Sequence, residues 1–410
     1  RHTRYGTVTG VQTCALPIWQ PGAERGDPIA LLEQQNQARL PWLLPERHRR
    51  MAASALGWFR GSVAVMARDL AAQPHSGLSV QLCGNAHLLN FAITSAAGSA
   101  PALEIQDCDH TQRGPLEWDL KRLLVSLVLV ARRIGLDLEE QERLARKVAR
   151  SYRQALESFT ALPLLEFWSQ PVLLDAAAAP LSSKRQRRQL LSQLCELSDG
   201  GGLQLRHQPP LLWRHGPWDA RALSRYRCSL AMEGRALLDR FQLVDTAALV
   251  IGVGSVGQGR WVVLLQSSQS DERLLLESRQ LLAEGADALQ AAQRVVEGQR
   301  LLQGSHDPFL GWGSTSRAEP TVWRQLRHWK APVSVEELGA DALKGYGRLC
   351  AAVLARGHVR SGDGAQLAAA LTDQKRFEKA LGLFAVGYAD QVELDHRSLL
   401  QALATGRLPS

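Results

Sequence analysis

Apolar residues recur at helical spacing between Glu46 and Ala71, at Met51, Ala55, Trp58, Phe59, Val63, Met66 and Leu70. This pattern predicts one or two helices broken near Gly57 and Gly61. The period then shortens: Leu78 to Leu82 and Leu103 to Ile105 read as short strands, the second running into Asp107. After a Gly114-Pro115 turn, helical periodicity returns over about 117–134 and again over 138–159.

Residues 163–221 are basic, rich in Leu and Gln, and interrupted by Gly200 to Gly202 and Pro209-Pro210, which suggests a helical insertion or linker. From Phe241 the composition shifts. Residues 243–250, 260–266 and 273–277 read as three strands separated by turns, the only β-rich block of the chain. Helix is expected again at 286–303, a strand at 321–326, and helices through most of 335–403, with no repeat at solenoid periods. The pattern predicts an α+β protein in two lobes. A small β-rich lobe (241–330) stands beside a larger helical lobe made of 19–162 and 331–410, with 163–240 as the insertion. Residues 1–18 have neither a continuous apolar stretch nor a helical period; they resemble translated adapter sequence and are expected to be a non-native leader.

Composition narrows the class. A chain of 410 residues with 45% hydrophobic content can bury a large core. Six Cys without any C-x-x-C pair argue against a zinc site and a disulfide-dense secreted domain, so a reducing cytoplasm is expected. The longest strongly apolar run, Leu123 to Ala131, is too short to cross a bilayer, and no membrane partner is expected. Net charge is +8, with basic clusters at Lys184 to Arg188 and at Arg317, Arg324, Arg327 and Lys330. These make nucleic acid a conceivable partner, but without interleaved aromatics a solvated face is the favoured reading. The eleven Trp are scattered and are expected to serve packing. No G-x-S-x-G, H-E-x-x-H or Cys/His signature supports a hydrolase or zinc protease.

Three segments could carry chemistry. Gly252-Val253-Gly254-Ser255-Val256-Gly257 matches G-x-G-x-x-G, and the segment after it, from Arg260, is strand-like rather than helical. A strand-turn-strand setting favours a loop covering phosphates over a dinucleotide site, with a plain glycine-rich hairpin as the alternative. In such a lobe the third strand should offer a cation to phosphate, held by an acid of the next helix; Arg279 and Glu297 are the candidates. The third segment sets His87 and Asn90 near Asp107 and Asp109, and the carboxylate and amide oxygens among them suit Mg²⁺. Its alternative is that Asp107, Asp109 and His110 only cap a turn. Asp119, in the first turn of the next helix, favours the helix dipole and could brace the metal loop from behind. His358 and Arg360, at the end of another helix, are more readily C-terminal charge partners than phosphate ligands.

Together these strings resemble the bacterial family of domain of unknown function 2252. The segments that carry the likeness are Phe59 to Gly61, Gly84 to Phe91, Asp107 to His110, Gly114 to Leu123, Gly252 to Arg260, Arg294 to Arg300 and His358 to Ser361, over roughly 45–390. The Gly84 and Asp107 segments are also similar to the catalytic and metal loops of aminoglycoside and choline phosphotransferases. The glycine-rich lobe comes about 160 residues after them, so the resemblance implies a protein-kinase-like two-lobe fold, circularly permuted. It further implies ATP as cofactor, with Asn90, Asp107 and Asp109 on Mg²⁺. Gly252, Gly254, Ser255, Gly257 and Arg260 would lie over the phosphates, Arg279 would take the lysine role with Glu297 as its partner, and Asn85 and His87 would sit at the catalytic loop. The chain departs from the family at Asn85 in place of Asp, His110 in place of Glu, and Arg279-Gln280 in place of Lys-Glu. An amide cannot accept a hydroxyl proton. The expectation is therefore a kinase-like protein with weak, altered or absent phosphotransfer to an unknown acceptor, and the alternative is a non-catalytic scaffold binding through its basic surface.

Overall fold

Residues 19, 21–22, 25–94, 102–169, 192–198, 202–213, 218–282, 288–304, 307–326, 335, 338–371 and 374–410 are described by a computed structural model. Four short helices open it: α1 (Pro28–Asn36), α2 (Leu44–Ala52), α3 (Ala55–Gly61) and α4 (Val63–Ala71). One break falls at Ser62, beside Gly61 as expected, and the other at Ser54 rather than near Gly57. Ser54 caps α3 by accepting from the Gly57 N–H, and a Cβ on Gly57 would stand 2.7 Å from the Arg50 carbonyl oxygen. Glycine here permits close helix contact.

The short strands β1 (Ser79–Leu82), β2 (Phe91–Thr94), β3 (Ala102–Ile105) and β4 (Gln112–Pro115) come next, pairing β1 with β4 and β2 with β3, both antiparallel. Only β1 and β3 are legible as sequence. Gln112-Arg113-Gly114-Pro115 has no apolar alternation and becomes a strand because β1 offers it a ladder. Helix α5 (Glu117–Arg133) is buried on nearly every side, among α6 (Leu138–Thr160), which opens with an Asp137/Glu140 capping box, and two later helices.

The region expected to be a helical insertion is mixed. It holds α7 (Leu164–Ser169), the strand pair β5 (Cys195–Leu197) and β6 (Leu203–Leu205), β7 (Leu212–Trp213), α8 (Ala220–Ser229) and α9 (Met232–Leu238), and β7 joins the main sheet. Then come β8 (Phe241–Leu249), β9 (Arg260–Ser267), β10 (Arg273–Gln280), α10 (Ala288–Leu302), β11 (Gly311–Ser314) and β12 (Pro320–Gln325), and finally α11 (Ala340–Ser361), α12 (Gly364–Ala370) and α13 (Gln374–Ala404). The six-stranded antiparallel sheet runs β11-β12-β10-β9-β8-β7. The fold is α+β, with its helical part the larger and its sheets small.

Side-chain alternation divides the sheet. Val263, Leu265, Leu274, Leu276 and Trp323 pack against Tyr226 of α8 on one face. On the other, Val262, Leu264, Leu275 and Leu326 form a second core with Leu212 and Leu249. Two-residue steps along these strands put Arg260, Glu277, Arg279 and Arg324 on that second face, at its end beside the glycine-rich turn. Glu277 lies directly across from Arg324, and Arg279 across from Arg260.

Candidate functional site

The loop after β1 is fixed from beneath by α5. Asp119 accepts from the N–H groups of Cys83 (2.7 Å) and Gly84 (3.0 Å), one on each carboxylate oxygen. The Leu88 N–H donates to Ser126 Oγ (3.0 Å), while Tyr346 of α11 donates to the carbonyls of Leu88 and Phe91, both at 3.0 Å. Gly84 has φ +81°, and a Cβ there would come within 2.1 Å of the His110 carbonyl oxygen. Only glycine lets this loop touch the Asp107/Asp109 loop. Asn90 ties them together, its Nδ2 donating to the carbonyls of Asn85 (3.1 Å) and Asp107 (2.8 Å).

The glycine-rich turn between β8 and β9 is held by three arginines of the N-terminal helical segment. Arg50 donates to the Gly252 carbonyl (2.8 Å), Arg47 to those of Val253 (3.0 Å) and Gly254 (3.1 Å), and Arg39 to that of Val256 (2.7 Å). In a trans peptide the N–H points opposite the C=O, so binding the carbonyls on one side presents the amides of the following residues on the other. Ser255 Oγ accepts from Arg260 (3.1 Å).

Turn and loops line one cleft of about 680 Å³. Asn85, His87, Asn90, Asp107, Asp109, Gly252, Gly254, Ser255 and Arg260 all face it, although the glycine turn and the acidic loops are well over a hundred residues apart in sequence. Leu89, Leu211, Ile251, Val253 and Leu326 line it too and give it aliphatic surface. Gly257 stands behind the turn against Arg39. Arg279 is buried beneath the acids, paired with Asp107 at 3.3 Å and more closely with Asp109.

The expected pairing of Arg279 with Glu297 does not form. The inward stripe of α10 is Ala292, Val295, Val296 and Gln299; Glu297 falls on the opposite side, exposed and bonded to Gln293 at 2.7 Å. The acid close to the basic strand residues is instead Glu277, 1% exposed, in contact with Arg260 and 3.0 Å from Arg324. Motif spacing does not single it out. A charged residue amid Leu274, Leu275 and Leu276, in a strand buried on both faces, is the signal that could have found it.

Three arginines (260, 279, 324) face three carboxyl groups (Asp107, Asp109, Glu277) here. Burial alone would raise Glu277, but Arg260 and Arg324 hold it down to about 2. Burial likewise opposes the charge on Asp107, whose carboxyl Arg279 and Arg324 nevertheless keep well below the usual range. Asp109 is the more enclosed, and burial, helped by repulsion from Asp107, pushes its carboxyl above the usual range against the pull of Arg279. Burial also lowers both imidazoles, His110 to about 4 and His87 well below its ordinary value, the latter reinforced by Arg60 and Arg122. Both are neutral at pH 7.

Asn85 is 9% exposed and its Oδ1 accepts from Arg122 Nε at 2.7 Å; the same guanidinium donates to the Phe59 carbonyl and lies over the Phe59 ring. His358 is buried behind the loop, hydrogen-bonded to Tyr152 (2.7 Å) and 3.6 Å from Asp119, and Arg360 packs over Trp168; neither lines the cleft. Of the expected basic surface, Arg324 is drawn into the cleft, while Arg327, Lys330 and Lys184 to Arg188 lie outside the described residues. The five described cysteines are free. Among the described residues no helix is long and apolar enough to cross a membrane, and no group of three or more His, Cys, Asp or Glu is placed to hold a metal ion.

An arginine-clamped glycine turn thus faces the 84–90 loop and the Asp107/Asp109 loop across one cleft of an α+β protein. Residues 39–402 match the family described as uncharacterized protein conserved in bacteria (DUF2252), and the chain belongs to that family. Neither the curated proteins nor the solved structures contain a match to it.

Proposed function

We propose that the cleft binds a nucleoside triphosphate with Mg²⁺ in a kinase-like, circularly permuted arrangement, with phosphotransfer that is weak, altered or absent. The observation that carries this reading is the meeting of Gly252 to Ser255 with Asn90 and Asp107 across one cleft. Chain order within the sheet supports it: strand β8, glycine-rich turn, β9, then β10 with a cation, then a helix, the order of the nucleotide lobe of protein kinases. The aliphatic side chains of Leu211, Ile251 and Leu326 suit a flat base, and the turn amides suit phosphate oxygens.

The donor set fits a hard cation. Asn90 spends its Nδ2 on two carbonyls, which leaves Oδ1 for a ligand, and Asp107 and Asp109 stand beside it. Two carboxylates suffice where substrate phosphates supply the remaining oxygens, and Mg²⁺ so held would neutralise phosphate charge. Arg279 would then give up its carboxylates and donate to a phosphate, as a bidentate guanidinium rather than a lysine point charge. Because Asn85 has no basic atom, any transfer would rest on positioning and electrostatics.

Thermal denaturation of the full chain with ATP and Mg²⁺ tests this. A nucleotide at a hundred times its Kd should stabilise by about 2.7 kcal/mol, and Asp107→Ala, folded by circular dichroism, should lose that gain. If ATP with Mg²⁺ does not raise the wild-type Tm, the nucleotide reading falls.

A further inference from the structure

We propose that the acceptor received beside Asn85 is an oxyanion, a carboxylate or a phosphate monoester, and not an alcohol; the transfer step rests on the nucleotide reading of the same cleft. Arg122 sets the orientation of Asn85. A guanidinium has donors and no acceptor, so the Asn85 atom 2.7 Å from Nε is its oxygen. The carboxamide oxygen thus already accepts a charge-assisted hydrogen bond, and Nδ2 is the donor that Asn85 can offer a ligand in the cleft it lines. Its backbone carbonyl is also engaged, accepting from the His87 N–H (2.8 Å) and from Asn90 Nδ2. Two residues on, His87 is 6% exposed, lines the same cleft, and has a buried Nδ1 without a hydrogen-bond partner among the described residues. Arg60 lines the cleft nearby, and its charge acts on His87. The pocket around Asn85 thus presents the Asn85 Nδ2 donor and an unpartnered ring nitrogen of His87, with a cationic side chain in its wall.

An alcohol attacking phosphorus must shed a proton to something. Asn85 has no basic atom to take it, and in the proposed complex Asp107 and Asp109 would be engaged with Mg²⁺. An ionised oxygen makes no such demand. Its lone pair forms the new O–P bond, the bond from the γ-phosphorus to the bridging oxygen breaks, and that electron pair leaves on the nucleoside diphosphate. No proton moves, and the product is an acyl phosphate or a phosphoanhydride. The donors beside Asn85 would offset the repulsion between acceptor and γ-phosphate.

The test is isothermal titration of the full chain, saturated with ADP and Mg²⁺, using inorganic phosphate and succinate as probes. At least one should bind; binding of phosphate alone points to a phosphorylated acceptor and of succinate alone to a carboxylate. Asn85→Asp is isosteric, can keep its contact with Arg122, and places a negative charge against the anion. It should weaken the probe at least tenfold while ADP affinity holds, and Asn85→Ala should weaken it less. The inference is overturned if ADP binds but neither probe does, or if Asn85→Asp leaves probe affinity unchanged. It is equally overturned if that variant gains ATP turnover with glycerol. If ADP does not bind but phosphate does, and remains sensitive to Asn85→Asp, the anion site stands and the nucleotide reading falls.

Discussion

Glu277→Gln removes one charge and almost no volume from the middle of β10, where the carboxylate sits between Arg260 and Arg324. The side chain is 1% exposed, and its folded pKa is about 2 against an ordinary 4.5. That depression corresponds to about 3 kcal/mol favouring the charged form in the native state. Removing one partner of a buried ion pair independently suggests a loss of about 3–5 kcal/mol, because the arginines left behind are uncompensated. For a chain of this length unfolding as a unit, about 3 kcal/mol lowers Tm by roughly 3–4 °C. The lowered pKa fixes the direction of the pH dependence. The contribution is fully present above the unfolded value of 4.5 and is lost as pH falls through about 2, so roughly half remains near pH 3. Calorimetric scans of both proteins from pH 7 down to pH 3 should show the gap open at neutrality and narrowing in acid. A gap below about 1 kcal/mol at pH 7, or one that does not change with pH, would refute the idea that Glu277 is held ionised by these arginines.

Gly84→Ala should cost more than about 3 kcal/mol, since its φ of +81° and the His110 carbonyl 2.1 Å from the new Cβ are penalised together; a Tm within a degree or two of wild type would contradict the loop contact. Asp119→Asn keeps an acceptor for one of the two loop N–H groups and leaves the other buried and unpaired, a loss of about 2 kcal/mol. Hydrogen exchange at the Cys83 and Gly84 amides should accelerate in that variant, and unchanged rates would show that Asp119 does not hold the loop.

Local periodicity carried much of the architecture. The long helices α5, α6 and α10, the strands β8 to β10 and the α+β character are legible because the 3.6- and 2-residue repeats are properties of neighbouring positions. Both candidate loops are legible too, since glycines, carboxylates and amides cluster in them. Elements that depend on a distant partner escape such a reading. β4 and β11 have little apolar alternation and exist as strands because β1 and β12 pair with them, and β7 is two residues added to the edge of a sheet.

The partners of the charges were decided by tertiary structure. The sequence marked Arg279 as the cation of the third strand, but nothing local says whether it faces the next helix or the loop after β3. The helical phase that turns Glu297 outward could have been read from Ala292, Val295 and Val296. What could not be read is that Asp107 and Asp109 come within ion-pair distance of Arg279, or that Arg122 takes the oxygen of Asn85. Ion pairs and hydrogen bonds act over a few ångströms, whereas these partners are separated by between 37 and about 170 residues, and only the packed fold brings them within range.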